Sequence, residues 1–539
     1  MYQQSIYTHI FKRDTNYYLY NSKSALFAQI SQELYEVLYN RSYNELPEDI
    51  VDTLKKQGVI VSADEQHLHY HECMVRSNAR SYNDSVLGLV IAPTTGCNFD
   101  CPYCFEGQKS TINMSDKVEN GIIDFIKKHE NAKELHLTWY GGEPLTAFNR
   151  IRSLYDKLNS LNLKITDHQI VTNGYNITPE IINFFKSAHL KGAQITLDGA
   201  EATHNKNRCL KDSHRPTFYR IVENIKLLRE QAPEINLSIR VNINRDNAHE
   251  FIEVYHYLHE LLNDPSINIY PGIIREDTTD GCALCYSSLN SRDYFELLKQ
   301  CAENDIPVNF MPKHIMSKNC MINHLNSFII GPKGELYKCW NDFNHHERVI
   351  GYIFDTEFSN RKLFLQYMTQ AGIHSDPKCK SCLIFPACSG GCGYHRLKNK
   401  FENGRYDLCP VYKDKNILEE ALLSTLANKN KKNICPNCIF KLISISLHLL
   451  IFTSKTPLMI LKAFLTALLL SMFTALQVSA ELTGRVVDKT SGAPLEFVNV
   501  VAMSADSAYM TGCTTDSIGR FSLPTATNPA IVSFSVIGY

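Results

Sequence analysis

A chain of 539 residues is long enough for several domains at about 150 residues each. With 44% hydrophobic and 21% charged residues it can bury ordinary cores, and its composition is not that of a disordered chain. Lys+Arg 55 against Asp+Glu 56 leaves a net charge of −1, which excludes a global basic field that would hold nucleic acid by its phosphates. The 18 cysteines are the unusual quantity. Most fall in tight groups, a distribution that points to metal or cluster ligation in a reducing compartment rather than to a disulfide scaffold. Residues 1–13 lack the continuous apolar core of a signal peptide, so residues 1–430 are expected in the cytoplasm.

Residues 1–84 read as a small α+β unit. A strand is expected at 17–20, a helix at 24–39 from the spacing of Leu26, Ile30, Leu34 and Leu38, a second helix at 46–56, and a short strand at 59–61. Such a unit is winged-helix-like, serving either as a packing lobe or as a platform that grips a peptide by strand addition.

From 85 to 310 strands and helices alternate. Apolar runs at 87–92, 135–139, 169–172, 194–197, 237–243 and 267–270 are six expected strands, and 118–128 is one of the helices between them. Six βα units imply a parallel sheet curled into a partial (β/α)6 barrel of the TIM type, whose chemistry sits on loops after the C-terminal ends of strands. Residues 311–425 are rich in cysteine and glycine and poor in apolar periodicity, as expected of a metal-based scaffold.

The tail changes character. Residues 426–458 form a linker with a basic start, and 459–480 has the layout of an internal signal peptide, with Lys462 ahead of an apolar core and Val478-Ser479-Ala480 at its end. A transmembrane segment is the competing reading. Residues 481–539 alternate apolar and polar positions, with turn signals at 488–492 and 516–519, as in a β-sandwich fragment.

The segment Cys97-Asn98-Phe99-Asp100-Cys101-Pro102-Tyr103-Cys104 is CxxxCxxC, placed after the first barrel strand. Three thiolates can ligate three irons of a cubane and leave the fourth open to a substrate-like ligand. A zinc knuckle would want a fourth Cys or His nearby, and the sequence places none close to the triplet.

This triplet, with Tyr103 as its aromatic residue, resembles the signature of the radical S-adenosylmethionine (SAM) superfamily. The resemblance implies a [4Fe–4S] cluster on Cys97, Cys101 and Cys104, with SAM bound at its open iron. One electron then breaks the C5′–S bond, and the 5′-deoxyadenosyl radical removes a hydrogen atom from substrate. Further motifs follow in the family's order. Gly141-Gly142-Glu143-Pro144 resembles the loop that contacts the SAM amino group, and Thr172-Asn173-Gly174 offers polar contacts. Thr196-Leu197-Asp198-Gly199 followed by His204 and Arg208 resembles an element in which Thr196 faces the ribose and Arg208 the carboxylate. Asn242 is a further candidate. The first step needs no general base, so Glu143 is read as a binding residue and no catalytic acid or base is assigned.

Cys320, Cys339, Cys379, Cys382, Cys388, Cys392 and Cys409, with Gly334 giving G-x4-C, resemble the SPASM extension of this superfamily, which binds one or two auxiliary [4Fe–4S] clusters. By that resemblance Cys379, Cys382, Cys388 and Cys409 hold one cluster, and Cys320, Cys339 and Cys392 another. The second would have an open iron or borrow Cys282, Cys285 or Cys301. A zinc site is the alternative for the Cys379 group. Cys73, Cys209 and the pair Cys435-x2-Cys438 are read as ordinary residues.

Relatives of this layout, including the Cys101-Pro102-Tyr103-Cys104-Phe105-Glu106 run, are maturases of ribosomally made peptides that form crosslinks or thioethers or epimerise residues. The expected partners are a precursor peptide and a reductant such as flavodoxin or ferredoxin, with no nucleic acid. Two alternatives stand beside this one. A sulfatase-maturing, formylglycine-forming enzyme commonly has Asp after the cysteine of G-x4-C, where this chain has Trp340. A non-catalytic peptide-binding homologue would be expected to lack a cluster cysteine. Residues 482–539 resemble the carboxypeptidase-regulatory-like domain that opens TonB-dependent outer-membrane transporters, pointing to a Gram-negative bacterium of the Bacteroidetes type. An exported module after a cytoplasmic iron–sulfur enzyme suggests a fused or read-through neighbouring frame beyond about 430.

Overall fold

A computed structural model describes residues 2–104, 106, 111–274, 289–312, 315, 320–431, 480–487, 499–503, 509–515, 520–525 and 531–535. The chain divides into two units, 1–442 and 443–539.

The first unit begins with β1 (Tyr2–Gln4), β2 (Thr8–Arg13), β3 (Asn16–Asn21), β4 (Leu26–Ile30), α1 (Gln32–Asn40), α2 (Glu48–Lys56), β5 (Ile60–Ser62) and α3 (Leu68–Ser81). Strands β2, β3 and β4 form an antiparallel sheet, and β5 pairs with β1. The helix expected over 24–39 is therefore split. Leu26 and Ile30 are four residues apart, which suits one helical face but equally one strand face. Two local features decide for the strand. Ala25 takes a left-handed φ of 54° at the turn, and Ser31 caps α1 by accepting from Leu34 N at 3.2 Å, so the helix starts only at Gln32. The unit is a three-stranded sheet with helices rather than the helix–helix–strand arrangement of a winged helix.

The barrel strands are β6 (Val86–Ile91), β7 (Glu134–Trp139), β8 (Lys164–Thr172), β9 (Gly192–Leu197), β10 (Asn236–Ile243) and β11 (Asn268–Ile273). They lie side by side in chain order, each parallel to the next, as expected from the six apolar runs. The crossovers carry α4 (Asp116–Lys127), α5 (Phe148–Asn159), α6 (Pro179–Ser187), α7 (Glu201–Asn207) with α8 (Phe218–Gln231), and α9 (Glu250–Leu262). Ser115 and Thr178 cap α4 and α6. Leu89, Ile91, Leu137, Ile195, Leu197, Ile239 and Val241 pack outward against Ile122, Leu154, Ile182 and Ile225 of these helices in one buried core. The alternate positions, such as Thr196 and Arg240 in register, point the other way.

After α10 (Ser291–Glu303) come β12 (Ser327–Ile330), β13 (Glu335–Tyr337), β14 (Gly351–Tyr352), α11 (Arg361–Gln370), α12 (Gly393–Phe401) and α13 (Lys415–Lys431). The cysteine-rich segment is more integrated than its weak periodicity suggests. Strand β12 pairs in parallel with β6, from Ser327 beside Gly88 to Ile330 beside Ile91, and together with β13 and β14 extends the sheet to nine strands.

The second unit contains β15 (Ala480–Arg485), β16 (Asn499–Met503), β17 (Tyr509–Thr514), β18 (Arg520–Thr525) and β19 (Ile531–Ser535). These make two small antiparallel sheets, β15–β18 and β17–β16–β19. Residues 459–479, both turn signals and Cys435 and Cys438 lie outside the described residues. Among the described residues no helix is long and apolar enough to cross a membrane.

Candidate active site

Strand β6 ends at Ile91 and the chain turns at once into the loop that carries Cys97, Cys101 and Cys104. Thr94 shapes it, accepting from Gly96 N at 2.9 Å and donating to Asn113 Oδ1 at 2.7 Å. Cys97 and Cys101 rest partly buried on the barrel core, and Phe99 N donates to Cys97 Sγ at 3.4 Å. Cys97, Cys101 and Cys104 are thiols outside any disulfide.

The loop after β7 is pressed against this one. Gly141 has φ 125°, a backbone open to glycine, and a Cβ on Gly142 would stand 2.4 Å from the carbonyl oxygens of both Thr95 and Gly96. Glu143 is 1% exposed and accepts three hydrogen bonds, from Leu145 N at 3.0 Å, Thr172 Oγ1 at 2.7 Å and Asn173 N at 2.7 Å. Burial raises its pKa above the usual carboxylate range against these donors. Glu143 therefore ties the ends of β7 and β8 together, which suits a positioning role and leaves no lone acid for proton transfer. Asn173 Nδ2 reaches Asn98 Oδ1 beside Cys97 at 2.7 Å.

On the other side a buried polar hub joins the cysteine loop to β9 and β10. The Tyr103 hydroxyl donates to Asp198 Oδ2 and accepts from Arg208 Nη1 at 3.0 Å and Asn242 Nδ2 at 3.2 Å. Asn242 also donates to Asp198 Oδ1 at 3.2 Å, and Arg208 Nη1 lies 3.7 Å from the same oxygen. Burial raises the Asp198 pKa, with Arg208 opposing it, and the Tyr103 phenol is pushed up by burial and by Asp198. His204 stays neutral because burial lowers its pKa. It accepts from Asp198 N at 3.2 Å and faces Thr217 Oγ1 at 3.0 Å. Asp198 and Tyr103 are the residues that sequence reasoning underrated. Both stood inside recognised motifs, but only the fold shows them meeting.

The structure thus brings Gly141, Gly142, Glu143, Pro144, Thr172 and Asn173 around the cysteine loop from one side, and Arg208 and Asn242 from the other. Thr196 lies on the inner face of β9 in register with Arg240.

Residues 91–258 match the family model described as the Radical SAM superfamily. This part of the chain is a radical SAM domain. Among curated relatives, the radical SAM cyclopropyl synthase TigE of Paramaledivibacter caminithermalis is 28% identical over 262 residues, 42% of this chain and 54% of that protein. The chain therefore spans about half the length of that synthase. A cysteine-type anaerobic sulfatase-maturating enzyme of Clostridium perfringens is 25% identical over 371 residues, 61% of this chain and 95% of that protein. The solved structure of native anSMEcpe with bound AdoMet and Kp18Cys peptide superposes with TM-score 0.50 at 23% identity. It covers 64% of this chain and all (100%) of that one, and shares the fold.

A radical SAM domain implies SAM and a [4Fe–4S] cluster, and the residues present fit both. Three thiols stand on one loop at its mouth. Two buried donors there, Arg208 Nε and Asn98 Nδ2, have no hydrogen-bond partner, as a site for an anionic ligand would leave them. Gly142 leaves the backbone bare where the radical SAM loops meet.

The remaining cysteines fall into two sets. Cys339 ends the β12–β13 hairpin and has Cys392 and Cys320 among its electrostatic neighbours. Cys379 has Cys382 and Cys388. Lys413 Nζ donates to Cys409 Sγ at 3.1 Å and also faces Cys382. Cys301 instead lies 1% exposed in the barrel core with Tyr255 and Tyr294 as its neighbours. The structure does not bring it to the Cys320 set. Cys282 and Cys285 are outside the described residues. Among the described residues no three His, Cys, Asp or Glu side chains converge as one metal ion would require.

Trp340, directly after Cys339, packs edge-on against Tyr140 at 4.5 Å between ring centres. The nearest acid, Asp342, is fully buried and accepts from the Tyr367 hydroxyl at 2.9 Å, with Arg348 Nε at 3.5 Å.

Proposed function

We propose that this chain is a maturase of ribosomally made peptides, removing a hydrogen atom from a precursor peptide to set a crosslink, a thioether or an epimerised centre. The observation that carries this reading is the pair Trp340–Tyr140 beside the auxiliary cysteines. A sulfatase-maturing enzyme would want an acid directly after Cys339, where this chain has Trp340; the nearest acid, Asp342, has Oδ1 engaged by Tyr367 and Arg348 and Oδ2 buried without a hydrogen-bond partner. The match to the sulfatase-maturating enzyme over 95% of its length supports that activity as the second reading.

When bound, the cluster and SAM supply a one-electron reductive cleavage and a carbon radical. The chain's own residues do the placing. Arg208 would pair the SAM carboxylate, Thr196 would meet the ribose, and the backbone of Gly141–Pro144 would meet the amino group. Asp198, Tyr103 and Asn242 keep Arg208 oriented in a buried site where water does not compete. Trp340 and Tyr140 present an apolar wall of the kind that keeps a target carbon dry and in place. In this reading Cys379, Cys382, Cys388 and Cys409 hold one auxiliary cluster, and Cys320, Cys339 and Cys392 a second. A flavodoxin or ferredoxin supplies electrons in the cytoplasm, residues 1–84 receive the peptide, and the tail is a fused neighbouring frame.

The test is to produce the full chain anaerobically with small peptides encoded nearby, then add SAM and dithionite. Deoxyadenosine release with a mass decrease in a peptide, or deuterium uptake from D2O for an epimerised residue, is expected. Formylglycine in a sulfatase peptide, with the encoded peptides untouched, would establish the second reading. No deoxyadenosine from an iron-loaded chain would leave a peptide-binding homologue.

A further inference from the structure

Tyr7 sits between β1 and β2 and is 2% exposed, yet its hydroxyl is buried without a hydrogen-bond partner. Its ring is fixed edge-on to His69 at 5.6 Å. It belongs to an apolar cluster with Tyr70, Cys73, Ile373 and Phe385, and Cys379, Cys382 and Cys388 pack on that same cluster. Cys73 and Cys382 are among the ionisable neighbours of the phenol, with Tyr70 and Glu72. Cys73 has its own partner in His69 Nε2 at 3.5 Å.

Two further contacts hold this part of the N-terminal unit against the cysteine loop. The Ser22 hydroxyl donates to the carbonyl of Leu383, the residue after Cys382. The Tyr70 hydroxyl donates to His374 O at 3.3 Å. Tyr7 is thus held beside thiols that come from a distant part of the chain, with a donor and nothing to donate to. A buried hydroxyl in that state is costly and calls for an acceptor.

The geometry points to Tyr7 as part of a cofactor site: its O–H donates to a sulfur of the iron–sulfur cluster held by Cys379, Cys382, Cys388 and Cys409. This rests on the proposal that those four cysteines hold a cluster. Hydrogen bonds to cluster sulfurs favour the reduced state, which carries more negative charge, and so raise the potential. The donor comes from the unit read as the peptide platform. A displacement of the β1–β2 connection would therefore be felt as a change in the cluster's potential.

The experiment uses the full chain with Cys97, Cys101 and Cys104 all changed to alanine, so that any iron present is auxiliary. Bound iron and a paramagnetic signal on reduction test the cluster reading by themselves, and their absence ends it. Given that signal, Tyr7→Phe is expected to keep the iron and move one auxiliary midpoint potential to a lower value. Tyr43→Phe removes another buried phenol, one whose charged neighbour is Arg41, and should move nothing. If Tyr7→Phe does not hold iron, 3-fluorotyrosine placed at position 7 strengthens the donor instead, and the potential must rise. An unchanged potential in the iron-loaded Tyr7→Phe chain, or with fluorotyrosine, overturns the proposal and leaves the hydroxyl to a buried water.

Discussion

The hydroxyl of Tyr103 accepts a hydrogen bond from Arg208 Nη1 at 3.0 Å while donating to Asp198. The aromatic residue of the cysteine triplet is thereby a strut between the cysteine loop and the far strands of the barrel. Tyr103→Phe removes hydrogen bonds to three buried partners at once. A stability loss of about 1–3 kcal/mol is expected, with SAM affinity reduced roughly tenfold if about 1.4 kcal/mol of that orientation is lost. Chemical denaturation and equilibrium dialysis against SAM check the two parts, and unchanged values in both would remove the strut.

Asp198→Ala is the harsher change in the same hub. It leaves the buried Arg208 guanidinium without its carboxylate, and breaking a buried pair from one side costs about 3–5 kcal/mol. The expected result is a marked fall in Tm. A variant as stable as the parent would show that Arg208 relaxes to solvent.

Glu143 is surrounded by donors alone. In Glu143→Gln one carboxylate oxygen becomes an NH2 group facing Asn173 N or the Thr172 and Leu145 donors. One donor–donor clash in a buried site should cost about 1–3 kcal/mol. Thermal unfolding reads this directly, and deoxyadenosine release should fall with it because the same contacts align the loops after β7 and β8.

Gly142→Ala tests the contact between those loops. The new methyl would meet two backbone carbonyl oxygens at 2.4 Å, neither of which can swing away as a side chain does. The loop of Cys97 must move, so reconstituted iron should fall by about four per chain, the content of one cubane. Full iron and full SAM cleavage in this variant would show the two loops to be compliant.

His168 gives the stability a pH dependence. Trp139 Nε1 donates to its Nε2 at 2.8 Å, and its Nδ1 lies 3.0 Å from Ala188 O, so the neutral ring is fully used. Burial pushes its pKa down to about 4. The folded pKa is thus below the unfolded one of about 6.5, and the unfolded chain takes the proton first. The contribution is complete above about pH 6.5 and is lost as pH falls toward about 4, by at most about 3 kcal/mol. Denaturation midpoints across that window should slope in the parent and flatten in His168→Gln.

The barrel was legible because each strand is an apolar run of its own, bounded by polar turns, and parallel order follows from the helices between. Leu26–Ile30 was not, because a four-residue apolar spacing fits both periods and the deciding cap, Ser31, is a single hydroxyl. The pairing of β12 with β6 was not legible either: a four-residue strand has no periodicity to read, and its partner lies far away in sequence. The motifs named the residues around the cysteine loop. They could not show that Asp198 and Tyr103 form a joint, or that Tyr7 ends beside Cys382, since both depend on tertiary approach.

The parallel pairing of Ser327–Ile330 with Gly88–Ile91 has a consequence for how such enzymes can be rebuilt. The strand that leads into the radical SAM cysteines and the strand that leads into the Cys339 hairpin are neighbours in one hydrogen-bonded sheet. Their relative position is set by register, and a slip of one residue would turn every side chain of β12 to the opposite face. A graft of the cysteine-rich segment of another enzyme that begins ahead of Ser327 brings its own strand and would have to reproduce that alignment with Gly88–Ile91. A junction placed after Ile330 would preserve the spacing between the two cysteine regions, whatever the grafted sequence.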